Sequence, residues 1–122
     1  MPNFAANLHY LFTEVPFLER FAAAAAAGFK AVEFQVPYEW SPETLAERLQ
    51  RNALQMVLFD APMGNWHAGD RGLAAVPGRE EEFRASMEPT LRYASALKCD
   101  TVHIMAGVLA NEERRAEAEH VY

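Results

Sequence analysis

The chain has 122 residues, 51% of them hydrophobic and 23% charged, which suits one soluble domain. A net charge of −6, with eleven scattered Lys and Arg, argues against a nucleic-acid surface, which needs a basic patch. No apolar run is long enough to span a bilayer, no signal-peptide pattern opens the chain, and the single cysteine, Cys99, excludes an internal disulfide, so a cytoplasmic protein is expected.

FAANLHYLF, residues 4–12, reads as a short apolar strand running into a turn. Pro16 suits the first turn of a helix, where its missing N–H costs nothing. Phe17, Leu18, Phe21 and Ala25 form that helix's apolar stripe. The alanine run at 22–27 favours helix and permits close packing on a sheet. Gly28 fits the position just past the helix end, with Phe29 placed for the accompanying apolar contact. KAVEFQV, residues 30–36, reads as a second strand that Pro37 stops.

Ser41, Pro42 and Glu43 make a good helix start: a capping side chain, a proline and an acid in the first turn. Leu45 and Leu49 give this second helix its buried edge, and Asn52 is a reasonable stop. LQMVLF, residues 54–59, is a third strand, followed by an irregular segment at 60–78. A third helix is predicted over 79–98, with Phe83, Met87, Leu91, Ala94 and Leu97 on one side. Pro89 should kink it or split it after Met87. DTVHIMAG, residues 100–107, reads as a fourth strand, and Asn111 caps a fourth helix with two acids in its first turn.

Repeated strand–helix units imply parallel strands in sequential order, right-handed crossovers and helices on one side. The strand-to-helix loops then gather at the carboxyl ends of the strands, where α/β folds build their sites. The loop after the third strand contains GNWHAGDRG, residues 64–72, which sets Trp66, His67, Asp70 and Arg71 between glycines with no periodicity. Long loops in compact domains are usually functional, so this one reads as a site cover. A flavodoxin-like domain would need a Gly-rich phosphate loop, and there is none.

FAANLHYLF, AAAGFKAVEFQVPYEW, GNWHAGDRGLAAVPGREEEFR and VHIMAG, in that order, resemble the hydroxypyruvate isomerase family within the xylose-isomerase-like TIM barrels. The likeness runs from about Asn3 to the last residue. It implies an α/β fold in which residues 1–122 are a single parallel (β/α)4 half of a TIM barrel, ending within the fourth helix. It also implies interconversion of hydroxypyruvate and tartronate semialdehyde, or isomerisation of 2-oxo-tetronate in a close relative. The chemistry would be proton transfer by paired glutamates, with a divalent metal possible in the full-length family. A full barrel needs about 250 residues, and the family's glutamates and metal ligands come from later strands. No catalytic residue, metal ligand or cofactor is therefore expected here, and the chain alone should be inactive. The alternative is a non-enzymatic half-barrel that self-associates or pairs with a missing C-terminal half through its open edges.

Four residues are candidates to line a site for a small hydroxy or keto acid: Arg71, Glu33, Trp66 and His103. The Arg71 guanidinium can hold a carboxylate bidentately, unless it is solvated or paired with Asp70. Trp66 either closes over a ligand and excludes water or anchors its loop to apolar neighbours, while His67 beside it should face solvent. Glu33 alternates with Val32 and Phe34, so if those meet the helices it faces the interior with Gln35. A carboxylate there is costly unless paired, which suggests a polar site or an interior hydrogen-bond network. His103 and Met105 share a face, as do Asn7 and His9. A metal between them lacks a third ligand, so lining or hydrogen bonding is the better reading. Cys99 lies at the opposite end, before a strand.

Overall fold

The computed structural model, which describes residues 1–122, resolves the repeats into four β/α units. These are β1 (Ala5–Asn7), α1 (Phe17–Ala26), β2 (Ala31–Glu33), α2 (Pro42–Arg51), β3 (Gln55–Asp60), α3 (Glu80–Leu97), β4 (Val102–His103) and α4 (Arg115–Val121). All neighbouring strands are parallel and the sheet order is β1-β2-β3-β4, as sequential right-handed crossovers require. The hydrophobic core lies between one face of this sheet and helices α1 to α3. Val32, Phe34, Met56 and Phe59 meet Phe21 and Ala24 of α1, Leu45 and Leu49 of α2, and Tyr93 and Leu97 of α3. Phe17 extends the core outward by stacking on Trp40, ring centroids 4.2 Å apart, and by meeting Phe34 edge-on.

The helix ends form where the local chemistry puts them. Ser41 Oγ accepts the Thr44 N–H at 3.1 Å, with Pro42 as the first helical residue. Gly28 takes φ 94° after α1, and Phe29 N–H donates to the Ala24 carbonyl at 3.1 Å. Those are the left-handed residue and the long return bond that close a helix C-terminus. Asn52 caps α2 by donating its side-chain N–H to the Arg48 carbonyl.

Two expectations are corrected. The third helix runs unbroken through Pro89, and its buried residues are Ser86, Thr90, Tyr93 and Leu97. Leu91 is 68% exposed. The small polar side chains can be buried because each bonds its own helix: Ser86 Oγ donates to the Phe83 carbonyl and Thr90 Oγ1 to the Ser86 carbonyl. A proline inside a helix costs about 3 kcal/mol, which packing of α3 against α2 and the sheet offsets. The fourth strand is also far shorter than predicted. Beyond His103 the chain leaves β3 and gives its carbonyls to the preceding loop, Met105 to Ala74 N–H and Ala106 to Ala75 N–H.

The register between β2 and β3 slips by one residue. Ala31 and Val32 pair with Gln55 and Met56, but Glu33 pairs with Leu58, so Val57 is an extra residue. From there Phe59 pairs with Val102 and Asp60 with His103. The slip keeps Phe59 in the core and brings Asp60 to the strand end beside His103.

Phe34 carries no accessible surface to speak of, whereas Leu91 faces water. Phe34→Ala should therefore cost about 3–5 kcal/mol in urea unfolding. Leu91→Gln should stay within about 0.5 kcal/mol of the wild type. A large loss at Leu91 would mean that the helix is rotated the other way.

A candidate active site at the carboxyl edge of the sheet

Because Val32 and Phe34 turn to the helices, Glu33 turns to the opposite face of the sheet, as the alternation predicts. There it is paired: Asn7 Nδ2 donates to Glu33 Oε1 at 3.0 Å. Asn7 Oδ1 accepts the His9 backbone N–H, which fixes the turn leaving β1. Arg20 holds the same turn from the helix side, donating to the carbonyls of Leu8 and Val15. Glu33 thus belongs to the interior hydrogen-bond network that was one of its two readings.

His9 takes a place that a backbone carbonyl would normally fill. Its Nδ1 accepts the Gln35 N–H at 3.0 Å, continuing the β1–β2 ladder through a side chain. Burial, helped by the nearby Arg20 charge, pushes its pKa down and favours the neutral imidazole.

Asp60 and His103 meet at the ends of β3 and β4. His103 Nδ1 lies 3.0 Å from Asp60 Oδ1, and Asp60 is only 6% exposed. Burial raises the Asp60 pKa, while the bond and charge of His103 pull it the other way. Tyr38 crosses beneath by donating its hydroxyl to the Asp60 carbonyl, and its own pKa is pushed up to about 12, mainly by burial. His9, Tyr38, Asp60, Trp66, His67 and His103 line one open cleft of about 810 Å³ at the carboxyl edge. Sequence reasoning found His103 but missed Asp60, because a lone aspartate after an apolar run looks like an ordinary turn residue.

The cover loop is built from its polar residues. Asp70 Oδ2 accepts the Asn65 N–H and Asp70 Oδ1 pairs with Arg79 at 2.6 Å. Asn65 Oδ1 caps the single 3-10 turn Trp66–Ala68 by accepting the Ala68 N–H. Arg71 does not pair with the Asp70 carboxylate. Its guanidinium lies 3.6 Å from the Trp66 ring centroid and one terminal nitrogen donates to the carbonyls of Trp66 and Asp70. The stack is worth about 0.5–1 kcal/mol at an exposed site. Trp66, still 47% exposed, is clamped from behind by Arg71 and lines the cleft, and His67 is exposed on the same rim. The loop is tied to the β4 extension at Gly72, whose φ of 109° and close approach to the Met105 carbonyl leave no room for a Cβ.

The structure brings Trp66 and His103 to the cleft, sets Glu33 with Asp60 along a small adjoining recess, and leaves Arg71 behind Trp66. No three His, Cys, Asp or Glu side chains stand together as a set of metal ligands, and Asp60 and His103 turn their facing atoms to each other. Cys99 is buried before β4, its thiol pKa raised by that burial.

Four parallel β/α units with a polar cleft at the strand ends define part of a (β/α) barrel with its site on the usual face. Residues 21–122 match the family model of the xylose isomerase-like TIM barrel, and the chain belongs to that family. It is 49% identical over its whole length to the 2-oxo-tetronate isomerase of Cupriavidus necator. It is 46% identical over 107 residues to the hydroxypyruvate isomerase of Escherichia coli K12. The crystal structure titled AP endonuclease, family 2, from Brucella melitensis superimposes with a TM-score of 0.95 at 49% identity, covering 99% of this chain. The chain spans 47%, 42% and 46% of these three proteins, under half of each. No helix is long and apolar enough to cross a membrane.

The Arg79 and Asn65 bonds hold the Asp70 pKa below the ordinary aspartate value. A depressed carboxylate contributes stability above its unfolded-state pKa, and that contribution is lost as pH falls through the folded-state value. Asp70→Asn should therefore be less stable than wild type near neutrality and lose less on acidification from about pH 4 to about pH 2. Thermal unfolding across that range checks it.

Proposed function

We propose that this chain is the amino-terminal (β/α)4 half of a cytoplasmic isomerase of hydroxypyruvate or of a close 2-oxo hydroxy acid. The observation that carries the reading is the 49% identity that runs through the whole chain, cleft and cover loop included, to a 2-oxo-tetronate isomerase. The cleft suits such a substrate: it is lined by imidazoles and hydroxyl-bearing rings and bordered by a tryptophan. We assign Arg71 to the substrate carboxylate. Its guanidinium lies behind Trp66 rather than on the cleft wall, but its Nε and second terminal nitrogen bond nothing in the protein and would reach the rim by rotation of the side chain off the Trp66 ring. Trp66 excludes water and His103 touches the substrate, while Glu33 holds the polar floor through Asn7. The glutamate pair that moves the carbon-bound proton, and any divalent metal beside it, would come from later strands of the barrel. Net charge −6 and the carboxylates near the cleft disfavour a nucleic-acid phosphate as the ligand.

The free edges of β1 and β4, with Phe4, Ile104 and Val108 exposed near them, are expected to pair with those later strands or with a second copy. By light scattering the isolated chain should be dimeric or larger, and it should not turn over hydroxypyruvate with or without a divalent metal. Grafted in place of the matching segment of the Escherichia coli hydroxypyruvate isomerase, it should give a chimera that isomerises hydroxypyruvate or 2-oxo-tetronate. A folded chimera inactive on both substrates, or an active isolated monomer, would overturn the reading.

In the active chimera, Arg71→Ala should lower kcat/KM for the acid substrate by about 2–3 kcal/mol, the scale of a hydrogen bond to a charged group. An unchanged kcat/KM would remove Arg71 from the site.

A further inference from the structure

His9 and His103 line the same cleft from opposite ends of the four-stranded sheet. Each has its Nδ1 committed and its Nε2 without a protein partner, but the two commitments are of opposite kinds. The partner of His9 Nδ1 is a backbone N–H, which can only donate, so His9 Nδ1 is an acceptor. A neutral imidazole carries one proton, which in His9 must then sit on Nε2. The partner of His103 Nδ1 is a carboxylate oxygen. Imidazole is a much stronger base than a carboxylate, so the shared proton stays on Nδ1 and the neutral ring offers a lone pair at Nε2.

The cleft therefore holds one N–H donor and one nitrogen acceptor, each fixed by the protein. Asp60 ties them together electrostatically, being near enough for its charge to act on both rings. Neither Nε2 is sealed from solvent, as the one buried side-chain nitrogen or oxygen lacking a partner in the chain is Arg48 Nε, and His103 is half exposed. A ligand that satisfies both must carry one oxygen that accepts, whether oxo, carboxylate or hydroxyl, and a hydroxyl that donates.

We propose that His9 and His103 form a donor–acceptor pair that selects small acids bearing a hydroxyl group, His9 Nε2–H donating to an acceptor oxygen (the oxo group in a hydroxy-keto acid) and His103 Nε2 accepting a hydrogen bond from the hydroxyl. Asp60 is the positioning residue that sets the His103 tautomer, and the Gln35 N–H does the same for His9. This deepens the isomerase reading and rests on it for the substrate class, because a hydroxy-keto acid carries both groups. A keto acid without a hydroxyl leaves the His103 lone pair unmatched, whereas a hydroxy acid still matches both rings, because its hydroxyl and carboxylate oxygens can accept from His9. Selection through unmatched polar groups is stronger than selection by shape.

The test is long-range proton–nitrogen NMR on the 122-residue chain, whose four histidines keep the spectrum simple. It is recorded above the end of the imidazole titrations followed in the same spectra. The expected result is an Nε2–H tautomer at His9 and an Nδ1–H tautomer at His103, with Asp60→Asn changing the tautomer balance at His103 and leaving the His9 tautomer in place. Hydroxypyruvate should shift both rings. Pyruvate, which lacks the hydroxyl, should bind about tenfold more weakly or worse, a difference of about 1.4 kcal/mol, whereas glycerate, which keeps a hydroxyl and acceptor oxygens, should bind comparably to hydroxypyruvate. The same tautomer at both histidines, rings unmoved by hydroxypyruvate, or equal affinity for hydroxypyruvate and pyruvate would overturn the pair. An inactive chimera with opposite tautomers and selective binding intact would remove the isomerase reading and leave the pair standing. An active chimera with matching tautomers would do the reverse.

Discussion

The arrangement depends on where β2 can be dry. Val32 and Phe34 are fully buried only on the side where α1, α2 and α3 lie. With a side-chain period of two, the residues between and beside them are then committed to the other face. A one-residue slip of β2 would carry Glu33 into the aromatic layer of Phe17 and Phe21 and turn Phe34 out of it, and an unpaired carboxylate there costs several kcal/mol. The burial of two apolar side chains thus fixes the polar face on which Asn7, His9, Glu33, Asp60 and His103 gather.

The extra residue at Val57 shows how that commitment is reconciled along β3. With strict alternation, Met56 in the core would place Leu58, not Phe59, beside it. The slip lets Met56 and Phe59 both be buried and sets Asp60 level with His103. A local irregularity in one strand is what creates the carboxylate–imidazole contact at the strand ends.

Element order, strand order and most helix ends were legible in the sequence because their causes are local. Ser41 caps within three residues, Gly28 closes α1 within five, and parallel order follows from the repeat itself. Three features were not legible, and each depends on a partner distant in the chain. The buried side of α3 reads as Phe83, Met87 and Leu91 if polarity alone decides, but the Ser86 and Thr90 hydroxyls satisfy themselves on their own helix. Tyr93 reaches the Trp40 carbonyl 53 residues away. The end of β4 is set by competition from Ala74 and Ala75, which no strand propensity can foresee. Asp60 gains its meaning from a histidine 43 residues further on. The candidate residues on the sheet, Glu33 and His103, were found through alternation. Those on the cover loop were found by their unusual chemistry, which could not say that Arg71 would face Trp66.

The backbone tie between the cover loop and the β4 extension also changes how the mouth can behave. Gly72 bridges Ala106, and the following alanines take the carbonyls of Met105 and Ala106, so the loop's far end is laced to the strand that carries His103. Near Trp66 the loop is cross-linked again by Asp70, Asn65 and Arg79. A free loop of this length would lose much of its conformational entropy only when a ligand arrived, and binding would be weakened accordingly. Here that ordering is completed when the chain folds. The tryptophan over the cleft and the histidine within it form one rigid unit, so a ligand meets a mouth already shaped, and any movement of β4 would carry the cover with it.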